Sequence, residues 1–153
     1  MDVLNFPNYR FRFKNNENIR QIFDPIRKKF VVLTPEEWVR QHTLLYLMNE
    51  KEFPPSLIAV ERKIPFKGII KRYDIVVHNP NGSILLLVEC KAPQIKINQD
   101  VFDQIARYNL SLNADLLMVT NGLNHYFCTL DYINKNYHFL RSLPSYSTVK
   151  KNP

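Results

Sequence analysis

Two acids and a lysine are the side chains whose types and spacing could do chemistry together in this sequence. Asp74 stands in one strand-like segment, and Glu89 and Lys91 end the next one. Because side chains alternate along a strand, Glu89 and Lys91 face one way and Cys90 the other. Burying an acid and an amine without partners is costly, so we expect them to be compensated by each other, by a cation or by a ligand.

The turn between the two strands decides whether Asp74 meets Glu89. Asn81-Gly82 is a strong signal for a two-residue hairpin turn, which would set Asp74 opposite Glu89. Pro80 lacks the N–H that this tight turn would use, so a three-residue Pro80-Asn81-Gly82 loop, with the pairing shifted by one, stays open. A bulge elsewhere would then be needed to restore Asp74 to the face of Glu89. We favour convergence and leave the register open.

Two converging carboxylates together with carbonyl oxygens predict a site for a hard cation. Directly opposed acids, roughly 5 Å apart at Cβ, repel each other unless something positive joins them. Mg²⁺ prefers such oxygen ligands, at about 2.0–2.1 Å, and Mn²⁺ could substitute for it. Such an ion can activate a water and stabilise charge on a phosphodiester oxygen. Lys91 beside it could position or deprotonate the nucleophile, or neutralise the developing charge.

The surrounding pattern predicts the elements that must hold these groups. Thr34-Pro35-Glu36-Glu37 predicts a helix start, with Thr34 as the cap and Glu37 as the capping-box carboxylate, and the helix should run to about Glu50. The order helix, three strands, helix, two strands predicts an α/β domain with a mixed sheet flanked by helices. The other predicted elements are a hairpin within 22–33, strands over 57–64, 69–77, 84–89, 116–119 and 125–130, and a helix over 99–112.

Length and composition indicate one domain with a basic surface. The chain has 153 residues, 45% of them hydrophobic, and a formal net charge of +7, which makes nucleic acid a reasonable partner. The longest apolar run, 84–88, is too short to span a bilayer, and the N-terminus lacks the features of a secretory signal, so we expect a cytoplasmic protein and no membrane partner. Cys90 and Cys128 form no ligand pattern and are expected to be reduced, buried thiols.

The chain is predicted to divide into three parts. Residues 1–18 are expected to be a loosely attached arm, 19–141 the folded domain, and 142–153 a flexible tail. Within the arm, Tyr9, Phe11 and Phe13 alternate with basic residues, which fits either a basic arm that touches DNA or an edge strand.

The pattern of Asp74 followed by Glu89-Cys90-Lys91 resembles the PD-(D/E)XK nuclease motif. The segment 84–93, ILLLVECKAP, is especially similar to the N-terminal nuclease domain of type I restriction enzyme R subunits. The resemblance extends over roughly 22–140. Tyr73 stands where the motif has proline, and this change is tolerated in such families.

The resemblance implies a restriction-endonuclease-like fold and Mg²⁺-dependent hydrolysis of phosphodiester bonds in DNA. It implies that the metal is held by Asp74, Glu89 and the main-chain carbonyl of Cys90, and that Lys91 assists the attacking water. Further residues follow from the family pattern. They are Gln104 and Tyr108, which match the QxxxY motif of the RecB-like branch and would line the DNA side; Arg72, beside Tyr73-Asp74, as a further DNA contact; and Glu37, with Glu36 in reserve, as a metal neighbour on the first helix.

Plainer interpretations remain open. The three core residues could form a salt-bridge cluster at a strand end, and Glu37 could serve only as a helix cap. The chain has no GxxxxGK[ST] phosphate loop, so it cannot drive translocation by itself, and a separate motor, methyltransferase or specificity subunit is a conceivable partner. The alternative function is a non-catalytic module that keeps the nuclease fold and binds nucleic acid or docks a partner.

Overall fold

A small antiparallel sheet opens the chain. The computed structural model describes residues 1–150, without the side chains of Phe66 and Ser111. The small sheet consists of β1 (Phe13–Asn16), β2 (Ile19–Asp24) and β3 (Lys29–Val32). The predicted hairpin within 22–33 is therefore confirmed as β2 and β3.

Helices cover both faces of the fold's second, larger sheet. α1 (Pro35–Leu45) begins as predicted, because the Thr34 hydroxyl oxygen accepts a hydrogen bond from the Glu37 N–H at 3.0 Å. A π-helical turn, Tyr46–Glu50, continues α1 to the predicted end. On the other face, α2 (Gln99–Asn109) is capped by Asn98 and continues into a 3₁₀ turn at Leu110–Leu112. None of the helices in residues 1–150 is long and apolar enough to cross a membrane.

The larger sheet is mixed, as the sequence predicts. Its strands lie side by side in chain order, and among the described residues only β6 and β7 run parallel, joined by the crossover through α2. Their side chains are almost all buried, which explains the continuous apolar runs. The strands are β4 (Ile58–Phe66), β5 (Ile69–His78), β6 (Ile84–Cys90), β7 (Leu116–Thr120), β8 (His125–Asp131) and β9 (Asn136–Leu140).

The β5–β6 hairpin combines a shift at the turn with a bulge. His78 pairs with Ile84, one residue out of step with the two-residue turn, and the register then changes so that Val77 pairs with Leu86 and Ile75 with Val88. The three-residue alternative thus describes the turn, and the bulge it required is present. Continued by one residue, the restored register sets Asp74 opposite Glu89.

The N-terminal segment is attached more firmly than the sequence predicts. Leu4 is buried in the core, and the single tryptophan, Trp38 of α1, donates its indole N–H to the Asp2 carbonyl at 2.8 Å. Phe11 lies against the Trp38 ring, with centroids 5.1 Å apart, and Phe13 opens β1. The expectation of a loose arm was wrong here, because alternating aromatic side chains find an apolar surface on α1.

The C-terminal end also differs from the prediction. Leu143 is fully buried, and α3 (Tyr146–Val149) follows it, with the Tyr146 N–H donating to the Lys51 carbonyl at 2.8 Å. The first part of the predicted flexible tail is therefore packed, while 151–153 lie outside the described residues.

Candidate active site

Asp74 lies where the backbone pairing of β5 and β6 ends. One carboxylate oxygen, Oδ2, accepts a hydrogen bond from the Cys90 N–H at 2.8 Å, in place of a β5 carbonyl. The other, Oδ1, accepts one from Arg40 Nη2 at 2.7 Å. Because the N–H and C=O of one strand residue point toward the same neighbouring strand, the Cys90 carbonyl also faces the side of Asp74.

Glu89 is buried at the end of β6 and paired with a cation. Glu89 Oε1 lies 2.9 Å from the Nζ of Lys71 on β5. Burial raises the pKa of Glu89; the charge of Lys71 and, more weakly, that of Lys91 lower it, while Asp74 raises it further. Asp74 and Lys91 therefore both act on Glu89 electrostatically.

The raised pKa of Glu89 predicts a pH-dependent gain in stability for Glu89→Gln. The folded protein binds the Glu89 proton more tightly than the unfolded chain, so ionising Glu89 costs stability as the pH rises above its ordinary value of 4.5. Without metal, the free energy of unfolding of Glu89→Gln relative to wild type should increase from pH 4 to pH 7. Urea unfolding in EDTA measures this difference in the free energy of unfolding. If the difference stays constant or shrinks as the pH rises, the raised pKa of Glu89 is contradicted.

The structure separates the two glutamates of the first helix. Both oxygens of Glu37 are held, by Arg27 at 3.1 Å, Arg40 at 2.6 Å and Gln41 at 3.1 Å. Glu36 instead neighbours Asp74: burial raises its pKa, and so does the Asp74 charge. Of the two metal-neighbour candidates, Glu36, the reserve, is the one that shares its surroundings with Asp74, and Glu37 sits within an ion-pair cluster.

Arg40 is a buried centre of charge that the sequence reasoning missed. Its guanidinium joins Glu37 to Asp74, and both partners are largely buried. Burial lowers the pKa of Arg40, but the hydrogen bond to Asp74 and the charge of Glu37 outweigh burial and raise it. Arg27 extends the chain of ion pairs from Glu37 to Asp24, where its Nε lies 2.7 Å from the carboxylate. Through Arg40, this network of ion pairs fixes the position of the Asp74 carboxylate.

A cleft of about 290 Å³ opens beside Lys91. It brings Gln104 and Tyr108 of α2 together with Lys91, as the motif implied. Lys71, which the sequence reasoning did not single out, also lines it, and its ammonium lies 4.2 Å from the centre of the Tyr108 ring. Arg72 is exposed on β5 and is not among the residues that line the cleft.

The donor atoms at the end of β5 and β6 fit a small divalent cation in chemistry. Two carboxylates and a strand carbonyl are all oxygen ligands, the type that Mg²⁺ prefers. In residues 1–150, no group of three or more His, Cys, Asp or Glu side chains is arranged to hold a metal. Each acid is instead paired with a basic side chain of the protein: Asp74 with Arg40, and Glu89 with Lys71. A metal would thus have to share or displace these contacts.

Neither cysteine offers a reactive thiolate. Cys90 and Cys128 are free and buried, as expected, and burial raises the pKa of each, that of Cys128 to about 12.

Comparison with known proteins gives one family and two kinds of relative. The family model described as "Type I restriction enzyme R protein N terminus (HSDR_N)" matches residues 35–144. A solved fragment described as an HsdR subunit of a type I restriction enzyme from Vibrio vulnificus YJ016 superposes with a TM-score of 0.51 at 22% identity, over 76% of this chain and 24% of that chain. This likeness confirms the α/β fold.

Two curated proteins named octanoyltransferase also match in sequence. The one from Cupriavidus pinatubonensis is 28% identical and the one from Cupriavidus necator 26%, each over 110 residues and 64% of this chain. The alignments cover 44% and 41% of those proteins, so this chain spans less than half the length of either.

Proposed function

This chain belongs to the family of type I restriction enzyme R protein N termini, and from that premise we propose that it is a Mg²⁺-dependent DNA nuclease domain of the PD-(D/E)XK type. One observation carries the proposal. Asp74 accepts the N–H of Cys90, the residue that follows Glu89 at the end of β6, and Lys91 lines a basic cleft together with Lys71.

In the proposed reaction the chain's own side chains bind and orient the scissile phosphate. The metal, when bound by Asp74, Glu89 and the Cys90 carbonyl, supplies activation of a water and charge neutralisation. Lys91 lines the cleft, where its side chain can hydrogen bond the attacking water or neutralise a non-bridging phosphate oxygen. Gln104 and Tyr108 donate to the neighbouring phosphate and fix its position.

A cleavage assay tests the function. We expect plasmid DNA to be cut by the purified chain with Mg²⁺ or Mn²⁺, not in EDTA, and again after Mg²⁺ is restored. In Ca²⁺ the chain should bind a labelled duplex, with an affinity that falls steeply as salt rises. Equal background with and without Mg²⁺, together with salt-sensitive binding, would favour the non-catalytic nucleic-acid-binding alternative. Weak binding that is insensitive to salt would favour partner docking.

Gln104→Ala should weaken DNA binding by about tenfold or more. An amide that donates to a phosphate forms a charged hydrogen bond, which typically contributes roughly 1.5–3 kcal/mol. Gln99 on the same helix is also exposed but donates to Asp103 and Tyr137, outside the cleft, so Gln99→Ala is the matched control. Fluorescence anisotropy in Ca²⁺ measures both variants. Equal losses for the two glutamines would remove Gln104 from the site.

Partners beyond DNA belong to this proposal. A separate motor, methyltransferase or specificity subunit would suit the family, since this chain spans a minor part of the Vibrio fragment that it resembles. The name octanoyltransferase is not carried over, because the alignments cover less than half of either of those proteins. A cytoplasmic location agrees with free cysteines and remains part of the proposal.

A further inference from the structure

Lys71 occupies the position where Glu89 meets the cleft. Its Nζ lies 2.9 Å from Glu89 Oε1, 4.2 Å from the Tyr108 ring centre and 4.9 Å from the Tyr73 ring centre. Glu89 is buried, whereas 28% of the Lys71 side chain is exposed. One ammonium therefore neutralises a buried acid from one side and faces two aromatic rings and open solvent from the other.

A divalent cation on Glu89 would come into conflict with this ammonium. Mg²⁺ binds carboxylate oxygens at about 2.0–2.1 Å, so an ion on Oε1 would stand close to Lys71 Nζ and repel it. The lysine stem is long and flexible, and Lys71 already lines the cleft with Lys91, Gln104 and Tyr108. A change of side-chain rotamer moves the ammonium from the acid toward a ligand in the cleft.

We infer that Lys71 is the resident counter-ion of Glu89, and that a divalent cation displaces it onto the phosphate backbone of DNA in the cleft. This inference rests on the proposed function, because it takes Glu89 as a metal ligand. Metal and DNA binding are then coupled: the metal frees Lys71 for phosphate, and phosphate draws Lys71 away from Glu89. Without metal the site keeps its charge balance by ion pairing within the chain.

Lys71→Met tests the inference, because methionine keeps the stem and removes the charge. Isothermal titration with Mn²⁺, without DNA, should show binding about fivefold or more tighter than in wild type. Anisotropy with a labelled duplex in Ca²⁺ should show weaker binding and a salt slope smaller by about one. Lys71→Arg should stay near wild type. The matched control is Lys63→Met, an exposed lysine on β4, which should leave Mn²⁺ affinity unchanged.

The outcomes separate this inference from the function beneath it. If Mn²⁺ binds wild type, binding is lost in Asp74→Asn, and Lys71→Met binds Mn²⁺ no tighter than wild type, the counter-ion role is overturned and the nuclease site stands. If Asp74→Asn binds Mn²⁺ as wild type does, the proposed metal site is overturned, and the counter-ion role of Lys71 is overturned with it. Tighter Mn²⁺ binding in both Lys71→Met and Lys63→Met would show a general charge effect and would also overturn the inference.

Discussion

Lys91→Met should lower the rate of DNA cleavage by roughly 10²–10³-fold and leave Mn²⁺ binding intact. Removing one preorganised group that stabilises charge in a transition state typically costs this much. Lys91 lines the cleft and acts electrostatically on Glu89, yet a lysine ammonium has no lone pair with which to bind the same cation. The loss should therefore appear in the catalytic rate at saturating metal. Single-turnover cleavage of a labelled duplex and calorimetry with Mn²⁺ measure the two quantities.

The comparison variant is Asp74→Asn, which should lose both metal binding and cleavage. Asp74 holds the Cys90 N–H and Arg40, so a circular dichroism spectrum must show that the variant stays folded. If Lys91→Met instead cuts DNA at the wild-type rate, the amine has no part in the reaction. A parallel loss of Mn²⁺ affinity in Lys91→Met would mean that Lys91 shapes the metal site rather than the chemistry.

Arg40→Met should destabilise the fold by about 3–5 kcal/mol. Removing one member of a buried ion pair leaves its partners charged and uncompensated. Arg40 is only 6% exposed and contacts Glu37 at 2.6 Å and Asp74 at 2.7 Å, so both acids would be left without this cation. Urea unfolding at pH 7 in EDTA measures the change.

Two further variants check this prediction. Arg62→Met removes an exposed arginine on β4 and should change stability by no more than about 0.5 kcal/mol. Combining Arg40→Met with Asp74→Asn removes one of the stranded charges, so the double variant should lose less than the sum of the two single changes. Additive losses would show that the Arg40–Asp74 contact is not energetically coupled.

Much of the fold could be predicted from local sequence patterns. The helix start at Thr34 and the apolar strands β6 and β7 follow from capping chemistry and from burial on both faces, which depend on neighbouring residues. β9 was not predicted, because Asn136–Leu140 is short, partly exposed and polar at alternate positions. β9 forms because β8 offers it free backbone hydrogen-bonding groups at the edge of the sheet, and this tertiary contact leaves no pattern in the local sequence.

The motif residues of the candidate site were predictable, and the counter-ions of its acids were not. Asp74, Glu89 and Lys91 share a motif, so their spacing alone pointed to them. Arg40 and Lys71 come from α1 and from β5, and nothing in the spacing says which arginine or lysine will neutralise a given carboxylate. Spacing also does not show that Glu36 lies near Asp74, or that the capping residue Glu37 contacts two arginines that only tertiary structure brings near.

The indole of Trp38 turns the docking of the N-terminal segment into an optical signal. It is the only tryptophan in the chain, and it is held by the Asp2 carbonyl and covered by Phe11. Intrinsic emission therefore reports the surroundings of α1 and the first residues, rather than an average over the molecule. On heating, a red shift of the Trp38 emission maximum that precedes the loss of circular dichroism would show that this segment detaches while the six-stranded sheet is still folded.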